Sequence, residues 1–212
     1  MRIAILGSGL MGGKLGQLWA QCGHDVTFAY ARNAAKLERL ATESNASWGS
    51  ISQAVQNADV ILLAVHWSRI PDVLDQAGDM AGQVVLNCCI PLDDSNTDIV
   101  VGKTTSGAEK LSEMRPKARW VSSFNTSPSE SFRPVFARKG QKPAPQLLVY
   151  GDDAGAKDIA GELIRDIGFE PLEAGGLITG RFAEPFAMVT AELAYSQPGG
   201  PALTYHFEKL HQ

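Results

Sequence analysis

The chain has 212 residues, of which 44% are hydrophobic and 20% charged, and it carries a formal net charge of -4. That suffices for one sizeable core and is ordinary for a soluble globular protein, but it offers no basic stripe of the kind a nucleic-acid partner requires. No apolar run approaches the roughly 18 to 20 residues of a membrane span, and Arg2 is followed by only four apolar residues before glycines arrive, so neither a membrane anchor nor a signal peptide is expected.

In chain order, Ile3–Leu6 is a short continuous apolar run, which suits a strand buried on both faces. Met11, Leu15, Leu18 and Cys22 recur at helical spacing, and Gly23 stops that helix. Asp25–Ala29 is a second strand. Asn33 caps a helix with Leu37, Leu40 and Ala41 inward, and Ser50 with Gln53 forms a capping box before Ile51, Ala54 and Val55. The run 60–65 is the strongest strand signal. Ser68 is expected to cap a helix whose inner face is Ile70, Val73, Leu74 and Ala77, with Pro71 in its first turn. Residues 84–86 form a further strand.

Beyond this point the pattern loosens. Residues 92–115 predict a long connection, and a strand runs from Trp120 to near Phe124–Asn125. Residues 127–145 hold Pro128, Pro134, Pro143, Pro145 and several basic residues, which predicts a mobile or partner-covered loop. Strand 146–150, a helix through Ile159, Leu163, Ile164 and Ile167 closed by Gly168, and a last strand 169–172 follow. After Gly175–Gly176 a helix is predicted with Pro185 in its first turn and Phe186, Met188, Val189 and Leu193 inside. A short terminal helix follows the turn at 198–201. Alternation of strand and helix predicts an α/β fold, a Rossmann-like, doubly wound, mostly parallel sheet with right-handed crossovers. We expect residues 1–175 to be the NAD(P)-binding domain and 176–212 a helical extension packed on the same unit.

The chemistry starts at Gly7-Ser8-Gly9-Leu10-Met11-Gly12, a G-x-G-x-x-G between a strand and a helix. In that context the glycines serve a tight turn, backbone approach to a pyrophosphate and close helix–strand packing, with free N–H groups at the helix start facing the anion. The second strand then selects the cofactor. It ends Phe28-Ala29-Tyr30-Ala31-Arg32, with no acid to bind a ribose 2′-hydroxyl. Arg32 and Lys36 lie four apart, and arginine can fork onto a 2′-phosphate. NADP(H) is the expected cofactor.

The other candidates fall where strands end, the ligand-bearing edge of an open parallel sheet. His66 is either a ribose contact or a proton donor. Cys88 and Cys89 are either a reactive pair or small apolar lining. Asn125 either orients an amide or carbonyl or caps a turn. Hydride transfer between bound rings needs neither nucleophile nor general base, so the lack of a triad is compatible with redox chemistry. The only other cysteine is Cys22. This odd, low count suits a reducing cytoplasm, and the cysteines and histidines show no metal-ligand spacing.

Together these motifs resemble the NADP oxidoreductases that reduce the deazaflavin coenzyme F-420, and the related NADPH-binding domains of membrane ferric reductases. The resemblance rests on the GSGLMG turn with Arg32 and Lys36, on ADVILLAVHW ending at Trp67, VVLNCCIPL from Val84, SSFNT from Ser122, LLVYGDD from Leu147, IRDIGFEPLEAGGL from Ile164 and EPFAMVTAELAY from Glu184. It implies cofactor contacts from Gly7, Ser8, Gly9, Leu10, Met11, Gly12, Ala31, Arg32, Lys36, Ala64, Val65, His66, Cys88 and Pro91. It implies acceptor-side roles for His66, Cys89 and Asn125, no metal, a small-molecule acceptor (a deazaflavin, a flavin or a similar ring) and a homodimer. Departures cluster on the acceptor side. His66 stands where the family more often has Pro, Asn87 where it often has Asp, Cys89-Ile90-Pro91 where it often has Thr-Asn-Pro, and Ser122 where Lys is common. A non-catalytic NADP(H)-binding or redox-sensing module is the alternative reading.

Overall fold

The structure is a computed structural model that describes residues 1–31 and 33–210; the predicted phosphate ligand Arg32 lies outside the described residues. Eight strands form one sheet in the order β3-β2-β1-β4-β5-β6-β7-β8. They are β1 (Arg2–Leu6), β2 (Asp25–Ala29), β3 (Ser47–Gly49), β4 (Val60–Leu63), β5 (Val84–Asn87), β6 (Arg119–Ser122), β7 (Gln146–Gly151) and β8 (Glu170–Glu173). All neighbours pair in parallel except β6 and β7, where Ser122 faces Tyr150 in antiparallel register. Leu6 sits between Ala29 and Leu63, so the chain winds outward in both directions from β1 and β4. A doubly wound sheet opens its ligand crevice at such a switch point, outside the carboxyl ends of the strands.

Alternate side chains along each central strand feed two cores. Ile3, Ile5, Val26, Phe28, Val60 and Leu62 pack under the helices α1 (Leu10–Gln21), α2 (Ala34–Ser44), α6 (Phe132–Ala137) and α7 (Ala154–Ile167). Ala4, Leu6, Ile61, Leu63 and Val85 pack against α3 (Ile51–Gln56), α4 (Ile70–Ala77), α5 (Gly107–Met114) and the start of α8 (Gly180–Tyr195). Burial on both faces is why these strands read as unbroken apolar runs. Leu15, Leu18 and Trp19 of α1 are fully buried, each worth about 1.5–3 kcal/mol. Trp19 also donates its indole N–H to the Leu163 carbonyl at 3.0 Å, joining α1 to α7.

The predicted caps at Asn33 and Ser50 are present, the second as a full capping box with Gln53. Several expectations are corrected. Strand β3 was missed, because three residues at a sheet edge carry little pattern. Strand β6 ends at Ser122, since Phe124 turns the chain with φ 65°. Ser68 does not cap α4, whose N-cap position is Arg69 with no side-chain cap; His66 caps the 3-10 turn Trp67–Arg69 that precedes it.

Residues 92–115 contain α5, capped by Ser106. Residues 127–145 are not a loop throughout. A 3-10 turn and α6 are anchored by the buried Phe132, which stacks edge-on against Phe124 at 5.6 Å and Phe169 at 6.1 Å. Helix α8 begins at Gly180, which puts Pro185 in its second turn, and Val189 and Leu193 are exposed rather than inside. Phe186 and Met188 are only half-buried. No terminal helix follows among the described residues; the tail runs extended and Tyr205 bridges to Gln146.

Candidate functional site

The glycine turn occupies the switch point. Gly7 leaves β1 at φ 110°, a conformation that side chains resist, and its N–H donates to the Ala29 carbonyl at 3.0 Å while that of Ser8 donates to Tyr30. A β-carbon on Gly7 would fall 2.2 Å from the Ala64 carbonyl oxygen, and one on Gly12 would fall 2.0 Å from that of Gly7. These two glycines are demanded by the fold itself. Gly9 differs: a β-carbon there meets nothing within 4 Å, and its φ of -76° is ordinary. The protein alone does not require glycine at this position, and the open space beside it would admit a ligand close to the backbone.

Gly9 is also the N-cap of α1. No side chain caps that end, and no acid lies in the first turn. Uncapped N–H groups and the positive end of the helix dipole make an anion site. Ser8 adds a hydroxyl oxygen that is buried without any partner, a polar atom that a ligand would satisfy. The residues thus fit a dinucleotide pyrophosphate, with Leu10 and Met11 completing the turn.

At the end of β2, Tyr30 adopts φ 62° and its hydroxyl donates to Asp72 at 2.8 Å. Ala31 is half-buried. Asn33 accepts the Ala35 N–H and sets the start of α2, with Lys36 half-buried in its first turn.

Across the switch point, Ala64 donates its N–H to the Leu6 carbonyl at 2.8 Å and, with Val65, backs onto Gly7. His66 is tied at both ring nitrogens. Nδ1 accepts from the Ser68 N–H at 3.3 Å and the Ser68 hydroxyl at 2.9 Å, which leaves Nε2–H to donate to the Asp93 carbonyl at 3.0 Å. The Asp93 carboxylate is held down to about 2 by hydrogen bonds from Ser95, Thr97 and Asp98. His66 therefore pins the loop that follows Pro91.

The thiols of Cys88 and Cys89 are buried, and each lies 3.3 Å from the Leu63 carbonyl. Burial pushes the Cys88 thiol well up and that of Cys89 to about 12. Both are protonated at neutral pH, so the geometry supports apolar lining rather than a nucleophilic pair.

Asn125 donates through Nδ2 to the Tyr150 hydroxyl at 2.8 Å, while its Oδ1 is buried without a partner. It follows the fully buried Phe124, and Thr126 bonds Tyr205 at 2.7 Å.

Sequence reading assigned no contact to three side chains here. Ser122 accepts from Asn87 Nδ2 at 3.1 Å. Tyr150 lies fully buried, and burial raises its hydroxyl pKa. Glu184, only 1% exposed, accepts the N–H groups of Gly107 and Ala108 at 2.8 and 2.9 Å and so caps α5 from α8. Desolvation pushes its carboxyl up to about 7, against the pull of those two bonds and with a further push from Glu109. Arg181 in turn forks onto Glu109 at 2.6 and 2.9 Å. A charge on the Ala183–Ala187 side of α8 was the signal for Glu184. Tyr150, closing an apolar run, gave none.

Residues 2–91 match the sequence profile of the family described as NADP oxidoreductase, coenzyme F420-dependent. Metalloreductase STEAP3 of Rattus norvegicus is 28% identical over 186 residues, which is 86% of this chain and 36% of that protein. The chain therefore spans about a third of its curated relative.

Among solved structures, a protein assigned as an F420-dependent NADP-reductase from Arthrobacter sp. FB24 superposes with TM-score 0.87 at 22% identity, covering 99% of this chain and 100% of that one. Hypothetical protein SMa0349 from Sinorhizobium meliloti gives 0.73 at 26%, covering 98% and 96%. A reductive aminase from Aspergillus terreus, in complex with NADPH and ethyl levulinate, gives 0.66 at 16%, covering 90% and 60%. The fold is thus a Rossmann-like one shared with NADPH-binding reductases. Residues 2–91, which carry the glycine turn, are the part of the chain similar to that NADP oxidoreductase family.

Proposed function

We propose that the chain binds NADPH across the switch point and passes a hydride to a deazaflavin, a flavin or a similar small planar acceptor. One observation carries the reading: Gly9 opens onto free space at an uncapped helix end, beside an unpartnered Ser8 hydroxyl. The pyrophosphate would rest on the first turn of α1, and Arg32 with Lys36 would take the 2′-phosphate. Ala31, Ala64, Val65, His66, Cys88 and Pro91 would line the path toward the nicotinamide, with Cys89 and Asn125 on the acceptor side. Bound NADPH would supply the hydride. The chain's own contribution is position and dryness, from neutral thiols and the buried Asn87–Ser122 and Asn125–Tyr150 pairs.

In this reading residues 1–175 form the NAD(P)-binding domain and 176–212 an extension on the same unit, in a cytoplasmic homodimer. Phe182, Val189 and Leu193, all exposed on α8, support a covered face. Light scattering of the purified chain tests the dimer. The full engagement of His66 within the protein favours a second reading, a binding module without turnover.

NADPH titration followed by an acceptor panel (F420, FMN, riboflavin) separates the two readings. NADPH binding with reduction of at least one ring is expected, and binding without any turnover would leave the module. Arg32→Glu tests the cofactor choice. It should weaken NADPH by about tenfold or more and NADH by far less, since it removes a charge-assisted pair and adds repulsion. Equal losses would refute NADP(H).

A further inference from the structure

The basic, proline-rich segment 127–145 has no part in the cofactor site, yet it walls a cavity of about 400 Å³. Because β7 runs antiparallel to β6, the start of β7 lies at the same carboxyl edge as Asn125 and Thr126. The cavity opens there, between α6, the chain entering β7 and the tail after Pro201. Its polar lining includes Arg138, Lys142, Gln141, Thr204, Tyr205 and His206, and no Asp or Glu lines it among the described residues.

We propose that this cavity is a recognition site for an anionic group, a phosphate or carboxylate borne by a small molecule. Two nearby cations are already committed. Arg133 bonds Gln17 at 2.7 Å, and Lys139 lies 3.8 Å from Asp166. Arg138 and Lys142 face the cavity and pair with no carboxylate among the described residues. Two uncompensated cations sharing one concave wall, in a chain of net charge -4, focus positive potential there. The wall is built to hold shape. Pro134, Pro143 and Pro145 restrict its backbone, and the buried Phe132 and Val135 fix α6 behind it.

Tyr205 joins the cavity to the acceptor edge, because its hydroxyl bonds Thr126 Oγ1 at 2.7 Å and accepts the Leu148 N–H at 3.1 Å. The anionic group therefore has two possible sources. It is either the charged end of the hydride acceptor, which rests on the function proposed above, or a free small anion that acts as an effector.

The test reverses both charges with R138E/K142E, at exposed positions, and leaves the glycine turn intact. Pyrophosphate is titrated calorimetrically into both proteins with NADPH present. One site per chain is expected in the native protein, weakened at least about tenfold in the variant, with NADPH affinity unchanged in both. Absence of saturable pyrophosphate binding, or equal affinity in the variant, overturns the site even if NADPH binds and turns over. Where the site stands, FMN and riboflavin, which share a ring and differ by a phosphate, identify the source. A selective loss of kcat/KM for FMN in the variant assigns it to the acceptor, and an unchanged ratio assigns it to a free effector.

Discussion

The two halves of the candidate site are built differently. The proposed pyrophosphate end, from Gly7 to Gly12, is made of backbone: a left-handed glycine, two close approaches and a bare helix end, all within one β-α-β unit. The proposed acceptor end is made of side chains from four separate segments, with Asn87, Ser122 and Asn125, Tyr150, and Glu184 brought together by the sheet order and α8. A backbone site tolerates drift in every side chain and none in its glycines. A side-chain site can be rewired one residue at a time.

The largest effect that would break this contrast is expected at Gly12. Gly12→Ala puts a methyl 2.0 Å from the Gly7 carbonyl, backbone against backbone. Loss of more than about 3 kcal/mol, or failure to fold, should appear in thermal denaturation. A well-folded variant would mean that the turn is not the rigid part.

At the other end, Glu184 makes stability depend on pH. Burial raises its carboxyl to about 7 in the folded chain from an ordinary value of 4.5. Its contribution is therefore fully present below about pH 4.5, where both states hold the proton, and is lost as pH rises to about 7. The loss is on the order of 3 kcal/mol. Glu184→Gln cannot ionise, so the fall in melting temperature between those limits should flatten. An unaltered profile would show that Glu184 is not the titrating group.

A smaller effect is expected for Tyr150→Phe, which strips Asn125 of its partner in a buried place. It should cost about 1–3 kcal/mol and leave NADPH affinity nearly unchanged in a binding titration. A large loss of NADPH affinity would place Tyr150 on the cofactor side.

Legibility followed the same division. The β-α-β unit was readable down to its caps because its signals are local: glycine spacing, an apolar run, Asn33 and a Ser50–Gln53 box. The second half was less so. Helix α5 hides in a polar stretch because its cap comes partly from Glu184, 76 residues away from Ala108. Helix α6 hides among prolines because Phe132 is held by Phe124 and Phe169 from other elements. Val189 and Leu193 follow a helical period yet face outward, since period alone does not say which apolar stripe the sheet will cover.

The central claim is that the glycine turn is shaped for a dinucleotide, and Gly9→Ala tests it most directly. A methyl there touches nothing in the protein, so the melting temperature should fall by no more than about 4 °C, the cost of a poorer N-cap. NADPH, whose pyrophosphate needs that space, should bind about tenfold or more weakly in a fluorescence titration of the same sample. Unchanged NADPH affinity in the folded variant would contradict the account.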